Sequence, residues 1–449
     1  MTSLVDRLGS ALTLVPQRRT LGFGVLGAAL VAAIVLSPLF IGLAVLYHAG
    51  LAAVLVRDAR RLPPPSAFRA TREVPEPLSL GELQEVLLGV SCPQAAGMQG
   101  SVADHAPVGL GPGLREVEGS FDEEGYLVLG YPVRPRRRGA YEFPLLDVRV
   151  WRRGGWWLRQ FQVPASTEAA VYPDVMAIRR WQLTLRRGLR ALPGQRRARP
   201  PGAATDPAGL RDYLPGDDVR RINWKATARR DSPVTTELDA ERGQQLMIAL
   251  DCGRLMTAPA GHLTKHDHAV NAALLLAWVA QTQGDRVGLM TFADRVGTLV
   301  APRRGLRQVN RLNEVLYHVR AEYTEPEYGE AFAYLARQVR GRSLAVVLTD
   351  VLDAEASSDL VAHALRLGAR HRVLVVAMAD PELVAALRRP VATARGAYEW
   401  AAAEELMGAR RRAFETLQHG GVQCLDVEAG HLSPALVERY LELKERGLL

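Results

Sequence analysis

The first sixty residues carry one long apolar run: between Thr20 and Val56 no Asp, Glu, Lys or Arg occurs. About 20 helical residues already cross a hydrocarbon core, so the run is too long for one upright pass. It predicts two helices of minimal length, turning at Ser37-Pro38. Residues 68 to 173 follow another rhythm. Gly and Pro punctuate short stretches at Glu85–Val90, Tyr126–Val133, Leu145–Trp151 and Trp157–Val163, several of which alternate apolar with polar. Alternation with period two between turn residues predicts a small antiparallel β-sandwich. Residues 178 to 210 are an arginine-rich connector, helical over Ile178–Leu192 and linker-like as far as Pro200-Pro201-Gly202 and beyond.

From residue 211 a charged segment runs into a buried strand. Pro215-Gly216 is a turn pair, and Asp217 and Asp218 suit the start of a short amphipathic helix through Val219, Ile222 and Ala226. Leu246–Leu250 is a short continuous apolar run, which reads as a strand covered on both faces. Further strands are expected at Val287–Phe292, Leu344–Thr349, Val373–Ala379 and Val422–Val427. Helices are expected near Lys265–Gln281, Leu306–Val319, Tyr328–Arg340, Leu360–Leu367, Tyr398–Gln418 and Pro434–Arg446. Thr298–Ala301, a few residues after a turn at Asp294, can only return antiparallel. The alternation predicts an α/β fold, a doubly wound parallel sheet with one antiparallel edge strand. Asp251 closes its first strand, where open α/β sheets place ligands. The chain thus divides into a membrane anchor (1–61), a sandwich-like spacer (62–177), the connector (178–210) and the signature segment with the α/β domain (211–449).

Composition changes this picture in two places. The 449 residues carry 56 Lys+Arg against 48 Asp+Glu, a net charge of +8, and Lys225, Lys265 and Lys444 are the only lysines. So strong an arginine bias reads as genome composition rather than a binding code, and no base-stacking module accompanies it, so nucleic acid is not an expected partner. The flanks of the apolar run do use that charge. Arg18 and Arg19 precede it and Arg57, Arg60 and Arg61 follow it, so the positive-inside rule keeps both ends, and the soluble bulk, in the cytoplasm of a multi-pass inner-membrane protein. A cleaved signal peptide fits poorly, because the run is too long and lacks a small-residue cleavage site. A single tilted span, which would export the remainder, is the rival topology. The connector's arginines either attract anionic lipid or pair with acids of the next domain. Arg134–Gly139 reads as a solvated edge.

Candidate chemistry is thin. Cys92, Cys252 and Cys424 are too far apart for a CxxC site and odd in number, and Cys252 reads as a small buried hydrophobe before it reads as a reactive thiol. His262 and His266 have i, i+4 spacing, with His268 beside them, yet no HExxH pattern surrounds them. Asp267 is an early-helix acid. Neither GxSxG nor GxxxxGK[ST] occurs, so neither a nucleophile elbow nor a nucleotide loop is expected, and no small-molecule substrate follows.

The order of elements, with an aspartate closing the first strand and Thr349-Asp350 the fourth, resembles the von Willebrand factor A domain. Fuller still is the resemblance to a bacterial family numbered 58 in the domain-of-unknown-function series. It is carried by Tyr213–Arg229 (YLPGDDVRRINWKATAR), Asp239–Arg242 (DAER), Asp251–Met256 (DCGRLM), Gly284–Phe292 (GDRVGLMTF) and Val171–Asp174 (VYPD). This resemblance implies a membrane-tethered cytoplasmic domain associated with a MoxR-type AAA+ ATPase. It also implies a site. Metal-binding von Willebrand A domains hold a divalent ion with Asp-x-Ser-x-Ser, a threonine from a later loop and an aspartate after the fourth strand. Here Asp251 and Asp350 match and Thr324 could supply the loop oxygen, with Glu325 and Asp353 as further candidates, but Gly253 and Leu255 stand at the two serine positions. The alternatives are a Mg²⁺ site and a degenerate site neutralised internally, for which Arg254 is the expected cation.

The RRINWK segment has two readings. Trp224 packs between helix and sheet while Arg220, Arg221 and Arg229 pair with nearby acids, or Asp217, Arg220, Arg221, Trp224, Lys225 and Arg229 form a partner-binding surface, Trp and Arg being the commonest interface anchors. The leading expectation is a non-enzymatic, membrane-anchored adaptor acting in assembly or maintenance of an envelope complex. Its rivals are a metal-dependent enzyme at the membrane and a structural protein working through its β-sandwich.

Overall fold

Pro38 has no backbone N–H and disfavours helix in the residue before it, and the apolar run breaks around it into α1 (Arg18–Ala33) and α2 (Phe40–Arg61). The computed structural model describes residues 13–35, 37–38, 40–111, 114–174, 178, 206–213, 222–230, 232–239, 244–351 and 357–447. They fall into two units, Met1–Tyr172 and Pro173–Leu449.

In the first unit the two helices close on Gly27, where a Cβ would lie 2.9 Å from His48 Nε2, and the Tyr47 hydroxyl donates to the Phe23 carbonyl at 2.7 Å. Phe40–Ala67 is long and apolar enough to cross a membrane, and is the one such helical stretch among the described residues. At 16 residues α1 rises only about 24 Å, so of the two spanning helices expected only α2 has the length.

The β-rich part pairs β1 (Leu14–Pro16), β5 (Gln99–His105), β6 (Leu114–Ser120), β9 (Leu146–Trp151) and β10 (Trp157–Val163) in the order β1-β10-β9-β5-β6. A second sheet joins β2 (Arg69–Glu73), β4 (Gln84–Ser91) and β7 (Tyr126–Val133); a third joins β3 (Leu78–Ser79), β11 (Thr167–Tyr172) and β8 (Gly139–Phe143). Alternation buries Val86, Leu88 and Val90 on β4 and Leu127, Leu129 and Tyr131 on β7, as it does Val102 on β5 and Val148 and Val150 on β9. Between the sheets Arg72 grips Asp104 with two bonds of 2.8 and 2.9 Å, and the Tyr131 hydroxyl donates to the same carboxylate at 2.7 Å.

The second unit opens with β12 (Asp206–Asp212) paired antiparallel to β13 (Val234–Asp239), with α3 (Trp224–Arg230) between them in sequence. Residues 206 to 210, read from composition as linker, are therefore strand. A six-stranded sheet follows, in the order β18-β17-β14-β19-β20-β21: β14 (Gln245–Asp251), β17 (Arg286–Phe292), β18 (Val296–Arg303), β19 (Leu344–Leu348), β20 (Arg372–Ala379) and β21 (Gln423–Glu428). The short pair β15 (Pro259–Ala260) and β16 (Leu263–Thr264) stands apart. β18 is antiparallel to β17, while every other neighbour in the large sheet is parallel. The central strands β14, β19 and β20 read as nearly unbroken apolar runs because both their faces are covered. Leu246, Ile248 and Leu250 face α4 (Lys265–Thr282), α5 (Leu306–His318) and α10 (Leu432–Glu445). Met247 and Ala249 face α6 (Tyr328–Gln338), α7 (Ser358–Gly368) and α9 (Ala394–His419). One helix was not expected: α8 (Pro381–Arg388), started by Asp380, whose side chain accepts from the Glu382 N–H, with Pro381 at the first helical position. The connector helix expected at 178–192 lies outside the described residues beyond Ile178.

Candidate functional site

Asp251 ends β14, and Thr349 and Asp350 follow β19. The two strands are direct neighbours, with Leu250 paired to Leu348, so the two carboxylates come from adjacent strand ends. From β14 the chain moves to β17 on one side, and from β19 to β20 on the other. This is the switch point of the sheet, the place where such folds put ligands.

The two aspartates are handled differently. Asp251 is buried, and each of its oxygens is taken by a neutral donor: the Thr349 hydroxyl at 2.6 Å and the Tyr328 hydroxyl at 3.1 Å on Oδ2, and the Gly253 N–H at 2.7 Å on Oδ1. Burial pushes its carboxyl up to about 6; the bonds from Thr349, Gly253 and Tyr328 pull the other way, and the charge of Asp350 adds to the rise. Burial also moves the Tyr328 phenol well above its ordinary range, with the Asp251 charge next in importance. Asp350 instead meets cations. Lys265 Nζ lies 2.6 Å from Oδ2, Arg410 Nη1 lies 2.8 Å from Oδ1, and the Val351 N–H donates to Oδ1 at 2.8 Å. Arg410 also binds Asp426 through Nη2 at 2.8 Å and Nε at 3.1 Å, and donates to the Val351 carbonyl. Burial opposes the Arg410 charge, but Asp426 and Asp350 outweigh it and its pKa moves up.

Local sequence explains how these cations arrive. Thr264 and Asp267 form a reciprocal capping box that fixes the start of α4, and Lys265 is its first residue, directed at Asp350. Arg410 shares the buried stripe of α9 with Ala403, Phe414 and Leu417, at separations of seven, four and three residues.

Neither cation was foreseen. Arg254, the expected counter-ion, is exposed and pairs with Glu325 instead. The chain turns away after the strand because Gly253 is crowded: a Cβ there would lie 2.9 Å from Pro326 Cδ and 3.0 Å from the Thr324 carbonyl. Thr324 Oγ1 is buried without a hydrogen-bond partner, and its carbonyl accepts from the Arg254 N–H at 2.8 Å. Asp353 lies outside the described residues. A divalent ion needs several oxygens with free lone pairs at short range. Here an ammonium and a guanidinium stand on Asp350, while hydroxyls and an N–H stand on Asp251. Thr324 leaves one neutral oxygen over, so the residues do not fit Mg²⁺. Among the described residues no group of three or more His, Cys, Asp or Glu could hold a metal ion. The histidines disperse: His266 Nε2 meets Cys252 Sγ at 3.6 Å in the interior, His268 meets the Ala260 carbonyl at 3.0 Å, and His262 is exposed.

The signature segment is described only in part. Asp217, Arg220 and Arg221 lie outside the described residues. The described helix begins later than expected, because Asn223 caps it, its Oδ1 accepting from the Ala226 N–H at 3.1 Å. Trp224, expected on one reading to pack between helix and sheet, is 68% exposed. Lys225 and Arg229 stand exposed on the same short helix.

Curated relatives include an uncharacterized protein of Mycobacterium bovis and two of Mycobacterium tuberculosis, each 28% identical over 213 residues, 46% of this chain. The match spans 65% of each relative's length. Solved structures with some likeness include the conserved hypothetical protein BatB from Bacteroides thetaiotaomicron, at 14% identity over 45% of this chain and all of that one, with a TM-score of 0.32. Another is an uncharacterized membrane spanning protein from Vibrio fischeri, at 14% identity over 44% of this chain and 97% of that one, with a TM-score of 0.17. Likeness at that level carries no argument. Residues 209–386 match a family described as protein of unknown function DUF58, and it is this segment of the chain that belongs to the DUF58 family.

Proposed function

We propose that the chain is a membrane-anchored, non-enzymatic adaptor. α1 and α2 enter the inner membrane as a hairpin, α2 crossing it at full length and the shorter α1 matched by local thinning of the bilayer, and their arginine flanks hold the two ends, and with them both folded units, in the cytoplasm. The second unit is a von Willebrand A-like domain that binds protein partners, and the family resemblance supplies the partner class, a MoxR-type AAA+ ATPase acting on an envelope complex. The observation that carries this reading is the exposure of Trp224 beside Lys225 and Arg229, a costly arrangement for a free surface and the composition of an interface anchor. The closed state of the sheet edge supports it from the other side. With Asp350 held by Lys265 and Arg410 and Asp251 bonded by Thr349, Tyr328 and the Gly253 N–H, neither of these two carboxylates is free for general-base work.

The test is affinity capture of the ATPase by the full chain in detergent, with and without Trp224→Ala. An exposed side chain contributes little to folding, so the variant should keep its melting temperature and lose capture by about thirtyfold, the ~2 kcal/mol of a hot-spot residue. Undiminished capture would remove this surface from the proposal, and a large fall in melting temperature would return Trp224 to the core.

A further inference from the structure

The turn between β9 and β10, Arg152 to Trp156, is fastened to both apolar helices. Asp58 Oδ2 on α2 accepts from the N–H groups of Trp156 at 2.6 Å and Trp157 at 3.1 Å, and the Trp157 indole donates to the Leu55 carbonyl at 3.0 Å. From α1, the Thr20 hydroxyl donates to the Trp156 carbonyl at 2.5 Å, and Phe23 meets the Trp156 ring edge-on at 4.9 Å. A Cβ on Gly154 would lie 3.4 Å from Arg19 Nη1. The two tryptophans therefore sit level with Thr20 and Phe23 on one helix and Leu55 and Asp58 on the other. That level is a chemical boundary. On one side the helices expose Leu21, Val25, Leu26, Val45, Leu46 and Val54; on the other they expose Arg18, Arg19, Arg57, Arg60 and Arg61. The turn adds Arg152, half-buried, and Arg153, exposed. Asp58 is the only acidic residue in 13–61 and 152–158, and its Oδ2 is engaged by the two tryptophan N–H groups. An open groove of about 500 Å³ on α2 crosses the boundary, lined by Ala52, Ala53 and Val56 at one end and Arg57, Arg60 and Arg61 at the other.

We propose that the arginine end of this groove, Arg57, Arg60 and Arg61, binds the phosphate of an anionic phospholipid, with the acyl chain lying along Ala52, Ala53 and Val56, and that the β9–β10 turn, fastened to the opposite face of α2 at Leu55 and Asp58, seats the β-rich domain at the headgroup level. Tryptophan at such a boundary suits the interfacial zone, and arginines just outside it face the headgroup phosphates. The inference rests on the membrane-anchor part of the proposed function.

The full chain, reconstituted in phosphatidylcholine vesicles, is first washed at alkaline pH. A chain that stays with the vesicles is anchored; a chain released by the wash overturns the anchor and this site together. The anchored protein is then analysed by native mass spectrometry from micelles holding equal phosphatidylglycerol and phosphatidylcholine. Wild type should retain phosphatidylglycerol preferentially. Arg60→Gln/Arg61→Gln should weaken that preference roughly fivefold per arginine, about thirtyfold for the pair. Arg136→Gln/Arg137→Gln, exposed on the β7–β8 loop, should leave it unchanged. Equal retention of both lipids, an unaffected groove variant, an equal loss in the loop variant, or displacement by inorganic phosphate would each overturn the site while leaving the anchor standing.

Discussion

Replacing Lys265 by methionine tests how the sheet edge is held. In the native network three carboxylates, Asp350, Asp426 and, at 3.9 Å from Lys265, Asp380, meet two cations, Lys265 and Arg410, with side-chain exposures of 1%, 31%, 33%, 4% and 7%. Lys265→Met keeps the volume and removes one charge, leaving a net negative cluster around a buried aspartate. Breaking a buried pair in this way costs about 3–5 kcal/mol. The lower end applies, because Arg410 and the Val351 N–H stay on Asp350 Oδ1 at 2.8 Å. For a domain of this size about 3 kcal/mol lowers the melting temperature by roughly 6–12 °C. Adding Asp350→Asn removes the buried carboxylate that Lys265 held and leaves Arg410 to Asp426, so the double variant should recover at least half of the loss. The measurement is a double-mutant cycle by urea unfolding in detergent, followed by circular dichroism. A cost below about 1 kcal/mol for Lys265→Met would class the pair with exposed ion pairs. That result, or a double variant no more stable than Lys265→Met, would refute an ammonium that holds the edge together.

Two further outcomes follow from other buried groups. Asp251 titrates at about 6 in the folded chain against about 3.9 unfolded. Between those values the folded state keeps a proton the unfolded state has lost, so the contribution present at low pH disappears as pH rises from about 4 to 6, about 3 kcal/mol in all. Asp251→Asn should flatten that part of a stability profile against pH; parallel profiles for variant and wild type would sink the assignment. In the β-rich unit Arg72→Met strips both guanidinium bonds from Asp104 and should cost about 3–5 kcal/mol, whereas Tyr131→Phe removes one hydroxyl donor to a charged acceptor and should cost about 1.5–3 kcal/mol. Calorimetry of the two variants checks the order, and a Tyr131→Phe loss as large as that of Arg72→Met would contradict it.

Much of the architecture was legible because it is written in local periodicity. Leu246–Leu250 and Val373–Ala379 are unbroken apolar runs of strand length, and the structure places both inside the parallel sheet. Short spacing after Asp294 allows only a hairpin return, and β18 is antiparallel. Elements defined by distant pairing escaped. β12 holds Pro207 and Gly209 and has no apolar alternation, and only its ladder to β13, across a bulge at Pro207/Gly209, makes it a strand. α8 carried a readable signal in Asp380-Pro381-Glu382, an N-cap, a first-turn proline and an early acid. The start of α3 carries one too, since Asn223 precedes Trp224, but Gly216, Asp217 and Asp218 upstream offer a competing helix start.

The sheet edge divides along the same line. That two aspartates close adjacent strands could be inferred from strand ends alone. Their neutralisation could not, because it joins Lys265, Asp350, Arg410 and Asp426 across more than 160 positions of sequence. Arg254 was favoured for its nearness in sequence, yet a residue three positions past a strand end has already turned outward, where Glu325 meets it. Two physical cues pointed to the true partners. The first turn of α4 is charged while the rest of the helix is buried nearly all round, and a charge at the head of such a helix must find a counter-charge inside. In α9, Arg410 falls on the apolar stripe with Phe414 and Leu417 while Arg411 and Arg412 do not. A charged residue on a buried face requires a buried partner, and the carboxylate left without an ion at the neighbouring strand end is what each of these side chains reaches.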